Sequence, residues 1–149
     1  MLVVEIVVLG AGDAGKVLAA GFLFDSPPRP EPTRRLLAEA DHQILIAYDG
    51  ENPVGFVTGG ETTHPDKGTE RFLYELARGE THRCQGVGAA LVSQLREVAR
   101  SNKCYGMWFA TEVANRAARA TCERTGAVAD VSESVVLSWR FGQEDAVPS

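Results

Sequence analysis

The chain has 149 residues, one domain's worth, and its 44% hydrophobic and 23% charged residues are globular composition rather than disordered or fibrous. Fifteen Lys and Arg against twenty Asp and Glu leave a net charge of −5 with no dense basic stripe, which argues against nucleic acid and suits a cationic partner. Three cysteines, no basic segment ahead of the apolar Leu2-Val3-Val4, and no apolar run near the ~18 residues that span a bilayer predict a cytosolic (cytoplasmic) protein with reduced thiols and no membrane partner.

Residues 3–9 are rich in β-branched side chains and predict a first strand. Asp13 is placed to cap a helix whose positions Ala14, Val17, Leu18 and Gly21 or Phe22 follow a helical period. Pro27, Pro28, Pro30 and Pro32 predict a rigid connector outside helix interiors and central strands, followed by a short helix over residues 33–40. Residues 43–48 and 54–63, joined by Asp49-Gly50-Glu51-Asn52, read as a hairpin. After a turn at His64-Pro65-Asp66-Lys67-Gly68 comes a strand over 71–78. The clearest helix runs from 86 to about 100, with Gly88, Leu91, Val92, Leu95, Val98 and Ala99 on one face. A strand over 106–112, a helix over 115–124 ended by Gly126, and one or two strands over 131–141 complete a single domain over 1–141, with 142–149 as a tail. This is a mixed α/β sheet with flanking helices, without regular βαβ alternation.

Two glycine-rich segments compete for the role of an anion cradle. Gly10-Ala11-Gly12-Asp13-Ala14-Gly15 fits G-x-G-x-x-G after a strand, as a dinucleotide-binding oxidoreductase would require. Such a fold also needs a second parallel strand with an acidic residue about 20 residues on, and that stretch here is Asp25-Ser26-Pro27-Pro28-Arg29-Pro30. A turn capped by Asp13 is the simpler reading. The second segment, Arg83-Cys84-Gln85-Gly86-Val87-Gly88-Ala89-Ala90, lies between a strand and the best helix. Convergent amides at a helix N-terminus bind anions, the two glycines allow close approach, and Arg83 adds a charge-assisted fork. No Lys-Ser or Lys-Thr pair follows, so nucleotide hydrolysis is not implied.

Arg-x-x-Gly-x-Gly at residue 83, after Phe72-Leu73-Tyr74-Glu75-Leu76-Ala77, resembles the acetyl-CoA motif of the GNAT-type N-acetyltransferases. Asn115-Arg116-Ala117-Ala118, ending at Gly126, resembles that family's next segment. Tyr74-Glu75-Leu76-Ala77 and His82-Arg83-x-Gln85-Gly86 look most like the type I aminoglycoside 3-N-acetyltransferases. The resemblance covers roughly residues 3–141. It implies a GNAT-like acyl-CoA N-acyltransferase fold: a central, mostly antiparallel sheet whose middle strands splay, with flanking helices. It further implies acetyl transfer from acetyl-CoA to a primary amine, an aminoglycoside antibiotic or other polyamine, by direct attack in a ternary complex. The cosubstrate would run along Leu76, Ala77 and Arg78, with an amide at the strand bulge, that of Leu76, polarising the thioester carbonyl. Arg83, Cys84, Gln85, Gly86, Val87, Gly88, Ala89 and Asn115 would complete its site.

Glu75 is the candidate general base, and Glu61, Glu112 and Asp66 are candidates to hold a cationic substrate, with ordinary turn chemistry competing at Asp66. His64 and His82 are weaker candidates as base. Cys122 stands where the family has the Tyr that protonates the departing thiolate, Cys84 where Arg is common, and Arg78 where an apolar residue is usual. A thiol titrates near 8.5, so Cys122 is a candidate acid. No His/Cys cluster has metal-ligand spacing, so no metal is expected. Homodimers are common among such domains, though no residue pattern here indicates one. An acyl-CoA-binding or sensing domain without turnover is the non-enzymatic alternative.

Overall fold

The computed structural model describes residues 3–79, 86–131 and 133–142. Five strands lie side by side in chain order: β1 (Glu5–Val8), β2 (His42–Asp49), β3 (Asn52–His64), β4 (Gly68–Arg78) and β5 (Gly106–Trp108). The first four are antiparallel neighbours, and only β4 and β5 run parallel. A parallel pair needs a long crossover, here α3 (Val87–Ser101). The predicted hairpin forms as read, with Gly50 taking the positive φ of +63° that its turn demands.

Alternation along the strands sends side chains to two cores. Leu45, Ala47, Val57 and Leu73 pack against Val87, Leu91, Val92 and Leu95 of α3. Ile44, Ile46 and Phe56 pack on the other face against Val17 and Ala20, from and beside α1 (Ala14–Ala19), and Leu37 of α2 (Pro30–Ala38). Phe24, just past a 3₁₀ turn at Gly21–Leu23, stacks on Phe56 with centroids 4.0 Å apart. Finally, α4 (Arg116–Arg124) lies beside α3.

Four expectations need correction. Pro30 and Pro32 belong to the first turn of α2 rather than to a connector, because the N–H groups they lack would go unpaired there anyway. Asp13 stands at the α1 N-cap position, but its carboxylate accepts from the Gly10 amide at 2.7 Å, not from a helix N–H, while its own amide bonds to Gly10 O at 2.9 Å. The Gly10–Gly15 segment is therefore a turn closed on itself, and β2 runs antiparallel to β1, contrary to a dinucleotide fold. The strand expected over 106–112 stops at Trp108, because β4 supplies no partner beyond Phe72. Among the described residues of 131–141 no strand forms, and Val135, Val136, Leu137, Trp139 and Phe141 are exposed. Alternating apolar residues become a strand only where a ladder partner lies alongside.

Gly55 sets how closely α3 approaches the sheet. A Cβ there would sit 2.9 Å from Ala77 O, 3.0 Å from Val87 Cγ1 and 3.1 Å from Leu91 Cδ1. Gly55→Ala is expected to destabilise by about 1–3 kcal/mol through overpacking. Gly12→Ala, with open space around the position, should stay within about 0.5 kcal/mol of wild type. Urea unfolding of the two variants checks the contrast.

Candidate active site

The pairing of β4 with β5 is confined to Glu70–Gly106, Arg71–Met107 and Phe72–Trp108. Beyond Phe72, β4 continues for six residues to Arg78 while its β5 neighbour has ended. The two chain segments part there, and a cavity of about 770 Å³ opens beside the segment that follows β5, walled by Leu73, Val92, Trp108, Phe109 and the side of α4. That volume falls within the roughly 300–1,000 Å³ of small-molecule sites.

Along this stretch the β3–β4 register shifts: Thr58 pairs with Glu75, but Gly59 pairs with Leu73, leaving Tyr74 as an extra residue. The bulge is thus at Tyr74, two residues before the expected position at Leu76. It has a directional consequence. Leu73 faces the α3 core, and strict alternation would turn Glu75 the same way. The extra residue instead sets Glu75 opposite Thr58, on the face that holds Phe56 and Ala77, while Leu76 returns to the α3 core. Desolvation, followed by the Asp25 carboxylate, pushes the Glu75 carboxyl above the usual range.

The N-terminus of α3 lies beside this strand. Gly86 caps it with φ +81°, a left-handed conformation that favours glycine, and Val87 and Gly88 are buried within its first turn. A Cβ on Gly88 would come 3.1 Å from Arg78 Cδ and 3.1 Å from Thr121 Cγ2, so the missing side chain is what lets Arg78 lie over that turn. Arg78 Nη1 donates to Thr121 Oγ1 at 3.4 Å, and Thr121 donates onward to Ala117 O at 2.8 Å. A guanidinium against the positive end of a helix dipole is unfavourable by itself, and the combination suits an anion. The glycine-lined cradle therefore fits a diphosphate. Arg83, Cys84, Gln85 and His82 lie outside the described residues.

Asn115 shapes α4: its Oδ1 accepts the Ala118 amide at 3.2 Å, and its Nδ2 donates to Thr111 Oγ1 at 3.1 Å. Cys122 is buried in the cavity wall, and burial, then Glu123, pushes its thiol above the ordinary value, so it is protonated at neutral pH. Glu112 is exposed at the same cavity. Cys122 and Glu112 thus share the opening, and Glu75 stands on the other face of the sheet.

Glu61 has a different setting. Its Oε1 accepts from Arg71, which is fully buried, from Asn102 Nδ2 at 2.8 Å, and from Cys104 Sγ at 3.7 Å. Arg71 also donates to Gln43. The carboxylate is engaged by an internal cation rather than presented to a substrate. This pair, like Thr121, escaped the reading of the sequence. An available signal was the hairpin register, which places Glu61 directly across from Arg71.

Residues 17–127 match the acetyltransferase (GNAT) family, and the chain belongs to it. It is an acetyltransferase, and enzymes of this family use acetyl-CoA. No curated protein sequence matches the chain significantly. Among solved structures, the ribosomal-protein-alanine N-acetyltransferase of Brucella melitensis biovar Abortus 2308 is 25% identical with a TM-score of 0.69, over 94% of this chain and 100% of that one. An aminoglycoside acetyltransferase from an uncultured soil metagenomic sample, in complex with sisomicin, is 19% identical with a TM-score of 0.78, over 94% and 97%. The aminoglycoside N-acetyltransferase AAC(6')-Iy in complex with CoA is 15% identical with a TM-score of 0.74, over 93% and 95%. Among the described residues no helix is long and apolar enough to cross a membrane.

Because Arg71 is fully enclosed, removing its counter-charge strands a buried guanidinium. Glu61→Gln is expected to destabilise the fold by about 3–5 kcal/mol. A denaturant midpoint unchanged from wild type would instead free Glu61 for a role at a substrate.

Proposed function

We propose that this acetyltransferase moves the acetyl group of acetyl-CoA to a primary amine on a cationic small molecule, an aminoglycoside or another polyamine, by direct attack in a ternary complex. The observation that carries the reading is Arg78 laid over the first turn of α3, in the room left by Gly88. Guanidinium and helix terminus repel each other until an anion joins them, and a diphosphate meets both. When bound, acetyl-CoA supplies an activated acyl thioester.

The residues divide the remaining work. Leu76, Ala77 and Arg78, past the last β5 partner, offer a strand edge to a pantetheine arm in the manner of an added strand. The Leu76 amide would polarise the thioester carbonyl as negative charge develops on its oxygen. Gly86, Val87, Gly88 and Ala89 form the phosphate cradle, with Arg83, Cys84 and Gln85 preceding them in sequence. Asn115 contributes by fixing the start of α4, whose Thr121 braces Arg78.

An amine acceptor reaches the protein as an ammonium ion and must lose a proton to attack. Glu75, whose carboxyl desolvation and then Asp25 push above the usual range, takes that proton in its ionised form, directly or through one water. The neutral amine forms its C–N bond as the thioester C–S bond breaks, Cys122 gives the departing thiolate its proton, and the proton then lost from the new amide nitrogen restores the Cys122 thiol. Glu112 is exposed at the cavity on the α3 side, away from the face on which Glu75 meets the acceptor. The acidic balance of the chain and the aminoglycoside acetyltransferases among its structural neighbours support this substrate class.

Because Glu75 must be ionised to act, kcat/KM should fall as pH drops through its raised pKa. Glu75→Gln is expected to lower kcat by about 10²–10⁴-fold and to remove that acidic limb, leaving acetyl-CoA affinity within about twofold of wild type. Thiol release from acetyl-CoA across a panel of amines, with cofactor binding measured in parallel, checks both. Equal losses in rate and cofactor affinity would defeat the role of Glu75, and no release with any amine would defeat the transferase reading.

A further inference from the structure

We propose that the uncovered part of the α1–α2 face is a track for an elongated polycation, with Glu75 at its reacting end and Glu70 as a distal cation subsite. The inference rests on the amine-acceptor reading above. α1 and α2 pack over Ile44, Ile46 and Phe56, and no other element among the described residues covers the same face where β3 ends and β4 and β5 begin. Phe72 sits at the centre of this bare area, paired with Gly60 on one side and Trp108 on the other. Tyr74 meets Phe72 edge-on at 4.4 Å between centroids, and Trp108 tilts against it at 4.2 Å. Gly60 keeps the floor low, since a Cβ there would come 3.0 Å from Tyr74 Cε2 and 3.3 Å from His42 Cδ2.

Tyr74, Tyr105 and Trp108 are 52, 54 and 50% exposed, a contiguous aromatic surface left open to water. It ends at the Glu70 carboxylate, which accepts from the Tyr105 hydroxyl and from Trp108 Nε1 at 3.1 Å, with His64 Nε2 at 3.5 Å. The Tyr105 and Trp108 donors are neutral, so they fix the carboxylate in place without cancelling its charge. The Tyr105 hydroxyl foremost holds it below the usual carboxylate range. A shallow cavity of about 410 Å³ opens among Glu70, Tyr105, Met107 and Trp108.

From Glu75 to Glu70 the strand runs roughly 15 Å, at about 3.3 Å per residue. The track therefore has a carboxylate at each end and aromatic rings between, and ring faces attract ammonium groups while stacking on methylene or sugar C–H surfaces. Its ligand chemistry is a polyamine with cationic groups set roughly 10–15 Å apart, either a linear chain or an amino sugar. A monoamine reaches one end only.

Calorimetric titration of spermine, sisomicin and butylamine into wild type and Glu70→Gln tests this without requiring turnover. Wild type is expected to bind at least one polycation some tenfold more tightly than butylamine, and Glu70→Gln to reduce that ratio about fivefold or more. The polycation that loses more identifies the linear or the amino-sugar source. Tyr105→Leu, which removes a half-exposed ring and the hydroxyl that fixes the Glu70 carboxylate, should lower the same ratio and stands in if Glu70→Gln does not fold. Ratios equal in wild type and variants overturn the subsite, and a chain that still acetylates amines then keeps its transferase reading. Polycation binding that depends on Glu70 in a chain that acetylates nothing keeps the subsite and removes the transferase reading.

Discussion

Three residue pairs hold β5 to β4, and the ladder between them ends at Phe72 and Trp108. Backbone donors and acceptors on β4 beyond that point have lost their strand neighbour, and buried groups of that kind need another partner. Most of the candidate site follows from this limit. The cavity flanks the segment that follows β5, α3 delivers its N-terminus to the free end of β4, and Arg78, at that end, reaches the terminus because Gly88 has no side chain. Were β5 paired along its whole expected length, the opening would be a closed sheet.

The sheet also acts as a partition. On the α3 side lie the cavity, Cys122 and the glycine cradle; on the other lie Glu75, Asp25 and the aromatic track. A single additional residue, Tyr74, assigns Glu75 to its side, because without the bulge the strand period would turn its carboxylate toward the apolar core of α3. Two reactants that must meet at one point can then approach it from opposite faces. The buried Arg71–Glu61 pair lies close by, tying β3 to β4 and, through Asn102, to the end of α3. The fold thus spends its internal ion pair on holding the strands beside the opening.

The hairpin and the central helix were readable because each carries its own local signal: turn residues between two apolar runs, and an apolar stripe at helical spacing. The acetyltransferase family was readable from Gly86, Gly88 and their neighbours, since close backbone approach leaves a mark on residue type. Features that depend on a partner were not. Residues 131–141 alternate like a strand, but pairing is decided by whether an edge lies alongside, and none does among the described residues. The bulge at Tyr74 is invisible in composition, because any residue can occupy it. Arg71 reads as a solvated charge until its register with Glu61 is known. Aromatic residues 72, 74, 105 and 108 look like core, and they form a surface because no helix among the described residues covers them.

The central claim is that the end of the β4–β5 ladder makes a groove for acyl-CoA. Amide hydrogen exchange with and without acetyl-CoA tests it directly, since a bound arm and diphosphate must slow exchange where they accept or cover amides. Protection concentrated at residues 75–79 and 83–90, with β1 and β2 unchanged, is the predicted result. Protection at residues 10–16, or none at the end of β4 despite saturating acetyl-CoA, would contradict it.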